Sequence, residues 1–310
     1  MTTLLVTHDD CLHHVTPPGH PEQVARLEAV RTALADPAFD ALLREEAPLA
    51  TDAQIRLAHP QSHLDRIRAA VPSHGFAQLD ADTHLSPGSL QAALRAAGGI
   101  VRAVDAVLDG EARNAFCATR PPGHHAERET AMGFCLFGTV VIGARHALER
   151  GLSRVAIVDF DVHHGNGTQD LVWNDARIFF ASSHQSPLYP GTGLAHERGA
   201  HDNVLNVPLL PGTDGAGFRQ AWETFVLPAL EAAAPEMILV SAGFDAHRDD
   251  PLANLRLTER DFAWVTNAIC DVADRHAAGR VVSTLEGGYD LHALAASAAT
   301  HVETLMERGE

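Results

Sequence analysis

Residues 154–168 read RVAIVDFDVHHGNGT. The first half is an apolar, β-branched run with no polar face, the pattern of a strand covered by helices on both sides. The second half sets two aspartates and two histidines, Asp159, Asp161, His163 and His164, at the end of that strand. Unpaired charge is costly to desolvate, so a buried strand excludes such residues unless they pair or hold a cation. Strand side chains alternate in direction. If extended geometry continues past Phe160, then Asp159, Asp161 and His163 share one face, and Phe160, Val162 and His164 share the other. An Asp-x-His pair then offers an oxygen and a nitrogen to one metal ion. Gly165 and Gly167 let the backbone turn sharply afterwards.

Similar apolar runs recur on either side: LLVT (4–7), AFCAT (115–119), IFFASS (178–183), VLNVPL (204–209), MILVSAG (237–243) and RVVSTLEG (280–287). Between them lie segments of helical period at 21–36, 87–108, 133–151, 214–234 and 258–277. Strand–helix alternation of this kind predicts a parallel α/β sheet of about eight strands flanked by helices. No Gly/Ser/Pro-rich linker divides the chain, so residues 1–310 read as a single domain. Open α/β sheets bind ligands outside the carboxyl ends of their strands, which is where chemistry is to be sought.

Composition narrows the function. The formal net charge is -17. This excludes the basic footprint of a nucleic-acid binder and is compatible with a cationic substrate. Cys11, Cys117, Cys135 and Cys270 are far apart and form no CxxC pair, which argues against a thiolate zinc site and a disulfide framework. A reducing, cytoplasmic setting is the simplest expectation. The N-terminal MTTLLVTHDDCLHH has no basic region followed by an apolar one, and no apolar run approaches membrane-spanning length.

The strand MILVSAG ends in FDAHRDDP, so Asp245 follows its strand as Asp161 follows its own. Side by side, the two strand ends supply Asp161, His163 and Asp245. Three protein ligands with an open position is the pattern of a catalytic metal site; the alternative is a set of capping and ion-pair residues at strand–loop junctions. RPPGHHA (120–126) carries His124 and His125 after the AFCAT strand. Adjacent imidazoles near a metal suit proton transfer at neutral pH, with Asp159 or Asn166 to fix a tautomer; alone, they read as a surface pair. LEGGYDL (285–291) places Tyr289 after two glycines. It is either an oxyanion donor or an anchor for the following helix. Phe134 and Tyr189 lie in loops, where they line a slot or cover the core; spacing leaves both open.

Taken together, these stretches resemble the histone deacetylase family in its class II-like and bacterial form. The matching pieces run in order along nearly the whole chain: HPEQVARLEAV, DADTHLSPGSLQAA, RPPGHHA, AMGFCLF, VDFDVHHGNGTQD, SSHQSPLYPGTG, LNVPLLPGT, SAGFDAHRDDPLA and LEGGYDL. The resemblance implies the arginase/deacetylase fold and zinc-dependent removal of acyl groups from amines, with iron(II) as the alternative metal. It implies zinc ligands at Asp161, His163 and Asp245, and a general base at His125 oriented by Asn166. His124 is its electrostatic partner, held by Asp159, and Tyr289 is the oxyanion donor. It further implies that Phe134, Tyr189, Gly133 and Gly287 line the acyl tunnel and that Asp82 is the rim aspartate. A potassium ion is implied at Asp159, Asp161, His163, Ser182 and Ser183.

The chain departs from the family pattern in places. FCLFGT sets Gly138 and Thr139 where relatives often carry two asparagines, and HPEQVARL lacks a proline common after the first loop. Tyr189 stands where many relatives have Phe. Competing expectations are a ureohydrolase on the same fold with two manganese ions, to which Asp159, Asp249 and Asp250 would contribute, and a non-catalytic reader of acylated ligands. Acyl-lysine peptides, acetylpolyamines and other small acylated amines all suit one tunnel. The short segment from His8 to Glu22 favours an open entrance and a monomer or weak homo-oligomer.

Overall fold

In the computed structural model, which describes residues 2–309, the apolar runs pair as parallel strands of one sheet. The strands are β1 (Thr3–Thr7), β2 (Leu43–Glu46), β3 (Ala77–Gln78), β4 (His84–Leu85), β5 (Asn114–Cys117), β6 (Val155–Asp159), β7 (Ile178–Gln185), β8 (Val204–Leu209), β9 (Ile238–Ala242) and β10 (Val281–Leu285). Eight of them form the main sheet in the order β2-β1-β5-β10-β9-β6-β7-β8, and β3 and β4 make a separate antiparallel ribbon. The helices are α1 (Val24–Ala33), α2 (Asp52–Ile55), α3 (Gln61–Ala70), α4 (Ser89–Leu108), α5 (Thr139–Glu149), α6 (Asn166–Val172), α7 (Gly215–Ala221), α8 (Leu227–Ala233), α9 (Glu259–His276) and α10 (Leu291–Gly309).

Alternation along each strand feeds two cores. In β6, Ala156 and Val158 pack on one side with Phe244, Phe262 and Leu294, under α9 and α10. Val155 and Ile157 pack on the other with Ile100, Val104 and Val140 of α4 and α5. This is why the strands read as continuously apolar: neither face meets water. The chain runs outward from β6 through β7 to β8, then returns to β9 on the inner side of β6. The strand order therefore reverses between β6 and β9, and such a point opens a crevice at the carboxyl edge.

Three differences from the sequence reading have physical causes. Strand β2 was not among the apolar runs, because LREE is a mostly exposed edge strand with no hydrophobic alternation. Helix α5 begins at Thr139, not at residue 133, because Gly133 (φ 56°) and Phe134 (φ 69°) are left-handed and cannot open a right-handed helix. Segment 214–234 is helical throughout, but a π-turn at Trp222–Val226 separates α7 from α8.

Four buried histidines make the fold acid-sensitive. Burial holds His59, His164 and His301 down at about 3 and His184 at about 4. The unfolded chain takes up these protons near the ordinary value of 6.5, whereas the folded chain resists them. Their stabilising contribution is therefore complete above pH 6.5 and is lost as pH falls toward 4, at about 1.4 kcal/mol per pH unit for each group. The urea midpoint is expected to fall between pH 6.5 and 4.5, less steeply than the four groups alone would give, because burial raises Asp245 and Glu286 to about 7 and their protonation in the folded chain acts the other way. A flat profile there would contradict the assignment of these imidazoles as neutral in the fold.

Candidate active site

Strand β6 ends at Asp159, so pairing does not carry the alternation further. Hydrogen bonds within the turn do so instead. Asp159 Oδ1 accepts the Asp161 N–H at 3.0 Å, and Asp161 Oδ1 accepts the His163 N–H at 2.9 Å. Each carboxylate thus holds the backbone two residues ahead, as aspartates in turns do. Phe160 and Val162 enter the core beside Phe244. His164 turns away to Thr192 Oγ1 (2.7 Å) and Gln169 Oε1 (3.2 Å), so it helps hold the 186–193 loop.

The chain does turn sharply at Gly165, where the Asn166 N–H donates to the His164 carbonyl at 2.8 Å, but what requires glycine at both positions is space. Gly165 has an ordinary φ of -73°, and Gly167 lies inside α6. A Cβ on Gly165 would overlap Asp159 Oδ2, and one on Gly167 would overlap the Ala126 carbonyl.

Asp161, His163 and Asp245 come together with one ligand atom from each, all within 4.8 Å of one another. His163 Nδ1 lies 3.2 Å from Asp161 Oδ1 and 3.1 Å from Asp245 Oδ2. The outer oxygens are tied back: Asp161 Oδ2 accepts the Gly287 N–H (2.8 Å) and Asp245 Oδ1 accepts the Val162 N–H (2.9 Å). A Cβ at Gly243 would collide with Asp161, and one at Gly287 with both aspartates. The donor set fits a divalent cation. Burial and the adjacent Asp161 push Asp245 up to about 7. Burial opposes charge on His163, yet Asp161 and Asp245 raise it to about 10. A cradle that holds a proton so firmly attracts a cation at the same atoms.

The histidine pair is buried, not a surface pair. His124 Nδ1 meets Asp159 Oδ2 at 3.0 Å, and its Nε2 lies 3.8 Å from Asp161 Oδ2. Burial opposes its charge, but Asp161 and Asp159 together raise its pKa well above the histidine range. His125 shows the reverse: burial, then His124 and His163, hold it well below that range. Its Nδ1 meets Asn166 Oδ1 at 2.7 Å. Gly133 leaves the space that the His125 ring occupies.

His125 and His163 open into a cavity of about 230 Å³ that is also lined by Asp82, Gly133, Phe134, Leu188, Tyr189, Leu252 and Tyr289. Phe134 and Tyr189 therefore line a slot. Tyr189 packs edge-on against His125 at 5.2 Å, and Phe134 against Tyr289 at 5.9 Å. Asp82 stands in the lining, with its carbonyl accepting from His20 Nε2 at 2.9 Å. Ser182 pairs in register with Asp159 but its hydroxyl meets His184 Nδ1, and the Ser183 hydroxyl accepts from Trp222 Nε1. Asp250 is committed to the backbone N–H groups of Leu252, Tyr289 and Asp290, so it positions Tyr289. Asp249 lies on the exposed side.

Sequence reasoning missed Glu286, Arg26, Glu22 and Arg120. Glu286 is fully buried and accepts the Gly123 N–H (2.7 Å), the His124 N–H (3.1 Å) and the Ser241 hydroxyl (3.1 Å). Arg26 donates to the carbonyls of Gly288 and Glu286, pairs with Glu22 at 3.0 Å and lies 4.8 Å from the Tyr289 ring centre. Glu22 also takes Arg120. The signals were a glutamate inside the glycine motif, an arginine on α1, a glutamate just before that helix and an arginine in the loop after β5. Gly138 is explained by packing: a Cβ there would overlap Leu171.

The eight-stranded parallel sheet flanked by helices, with its reversal of strand order at this site, is the arginase/deacetylase fold. Residues 20–305 match the histone deacetylase domain. A histone deacetylase-like amidohydrolase of Pseudomonas aeruginosa is 40% identical over 89% of this chain and 74% of its own. A probable deacetylase of Archaeoglobus fulgidus is 37% identical over 94% and 82%. The crystal structure of the HDA15 HD domain superposes with a TM-score of 0.94 at 32% identity, covering 99% of this chain and 88% of that one. The chain belongs to the histone deacetylase family of hydrolases. Among the described residues, no helix is long and apolar enough to cross a membrane.

Gly165→Ala is expected to keep the fold but displace Asp159, and so to lower turnover by about 10–100-fold, the range for loss of an outer partner of a metal site. Circular dichroism and steady-state kinetics on the same preparation check this; unchanged turnover would show that Asp159 has room to move.

Proposed function

We propose that this chain is a zinc-dependent amidohydrolase that removes acetyl or other short acyl groups from amines such as acyl-lysine side chains, with residues 1–310 acting as one deacetylase domain. The observation that carries this reading is that His163, clustered with the buried Asp161 and Asp245, lines the cavity that His125 and Tyr289 also line. The acylated amine is a small molecule or a protein side chain.

When bound by Asp161, His163 and Asp245, a zinc ion supplies Lewis acidity, polarising an amide carbonyl and acidifying water. The protein's own groups do the rest. His125, neutral and with Nδ1 engaged by Asn166, presents Nε2 to take the proton of the attacking water. His124, charged between Asp159 and Asp161, stabilises negative charge in the site. The Tyr289 hydroxyl donates to the developing oxyanion. Burial raises its pKa well above the phenol range, so it stays a donor. The protonated histidine returns its proton to the leaving amine, which departs neutral. Phe134 and Tyr189 hold the apolar stem, and Asp82 faces the polar part of the substrate at the mouth.

The three backbone N–H groups held by Asp250 support a mononuclear site over a binuclear one. Elemental analysis is expected to give one metal per chain, zinc or, after anaerobic reconstitution, iron(II); two would favour the ureohydrolase reading. Tyr289→Phe and His125→Ala are expected to lose turnover by about 100-fold or more while keeping the metal. Asp161→Ala should lose the metal, and His164→Ala should keep it. Full activity of either Tyr289→Phe or His125→Ala would refute the assignment of roles. A matched panel of acyl-lysine peptides and acetylpolyamines identifies the substrate.

A further inference from the structure

The Asn166 side chain is two-faced: it carries an acceptor, Oδ1, on one edge and a donor, Nδ2, on the other. His125 Nδ1 lies 2.7 Å from Oδ1. On the opposite edge Nδ2 donates to Glu127 Oε1 at 2.8 Å and to Met132 Sδ at 3.3 Å. Half a turn of the amide would set Oδ1 against both of these acceptors and present an N–H to His125. A carboxylate accepts and does not donate, so Glu127 selects one of the two orientations.

The choice passes to the imidazole. Facing an acceptor, Nδ1 carries the proton, and Nε2 keeps the lone pair. Facing a donor, Nδ1 would carry the lone pair and Nε2 the proton, which is the useless form for a base acting into the cavity. Glu127 is itself held. Its N–H donates to the Thr130 carbonyl at 2.9 Å and its carbonyl accepts from Thr130 at 3.3 Å. The next residue, Arg128, donates its N–H to Asp170 Oδ2 at 2.8 Å. Asp170 lies one turn along α6, the helix that begins at Asn166. The loop and the helix are therefore tied at two points, and the carboxylate stays opposite the amide.

We infer that Glu127 is a positioning residue of the reaction: it fixes the Asn166 amide and, through it, the His125 tautomer with a free Nε2. This rests on the reading of His125 as the general base. The test is a double-mutant cycle on zinc-loaded protein with an acetyl-lysine substrate. It uses wild type, Glu127→Ala, Asn166→Asp and the double variant, with His125→Ala alongside and metal content measured throughout. Glu127→Ala is expected to lower kcat by about tenfold with KM and zinc content nearly unchanged, in line with loss of an outer hydrogen-bond partner. An aspartate at 166 accepts on both edges and has no orientation to select. In that background Glu127→Ala is expected to leave turnover unchanged or raise it, because two carboxylates no longer face each other. An equal loss in both backgrounds would mean that Glu127 only braces the loop, and would overturn the inference. An inactive His125→Ala beside a fully active Glu127→Ala would overturn it alone, whereas a fully active His125→Ala would bring down the base assignment on which it stands.

Discussion

Four carboxylates, Asp159, Asp161, Asp245 and Glu286, are fully buried at the carboxyl edge of three adjacent strands. Burying an ionised carboxylate without partners costs several kcal/mol even after relaxation, so the site's construction is largely an answer to that charge. Backbone N–H groups take part of it: Asp161, Val162, His163, Gly287, Gly123 and His124 all donate to one of the four. Charge-assisted bonds of this type are about twice as strong as neutral ones. His124 and His163 take another part. The residual deficit sits where Asp161, His163 and Asp245 converge, and that donor set fits a cation.

Two neighbouring histidines with identical side chains acquire opposite states because they face different partners. His124 lies between Asp159 and Asp161, and a positive charge there is offset by two negative ones. His125 faces a neutral amide on one side and the two other imidazoles on the other. A fixed charge and a free base therefore sit with ring centres 4.0 Å apart. Burial and the neighbouring imidazoles of His124 and His163 hold His125 weakly basic, and the neutral Asn166 amide does not offset them as a carboxylate would. This division of labour is electrostatic, and it depends on side chains from β6, α6 and the 120–127 loop meeting at one edge.

The mouth is built by loops that the buried histidines anchor. His164 meets Thr192, His184 Nε2 meets the Gly193 carbonyl, and Gln169 links to Glu197, which accepts the Gly193 N–H. These bonds hold the stretch that carries Leu188 and Tyr189 over the cavity. On the facing side, Phe134 adopts a left-handed backbone with its N–H on the Thr83 hydroxyl. Such a conformation is sterically unfavourable for a bulky residue, and here it directs the ring towards Tyr289 and His20.

Elements with a local signal are legible in the amino-acid order alone. The strand RVAIVDF, the parallel sheet and the grouping of Asp161 and His163 follow from alternation and from the cost of burying charge. Asp245 was legible because its strand ends in the same way. Everything carried by contacts between distant segments emerges only on folding. Edge strand β2 has no apolar period to read, because one side of it meets water. Glu286, Arg26, Glu22 and Arg120 gave only weak local signals, because a buried charge is recognisable only by the partner that neutralises it. Gly165 and Gly167 looked like turn residues, yet it is the nearness of Asp159 and Ala126 that forbids a side chain. The protonation of His124 and His125 was undecidable from adjacent letters. It is set by fields that reach across a few ångströms of space, and only the folded chain brings their sources together.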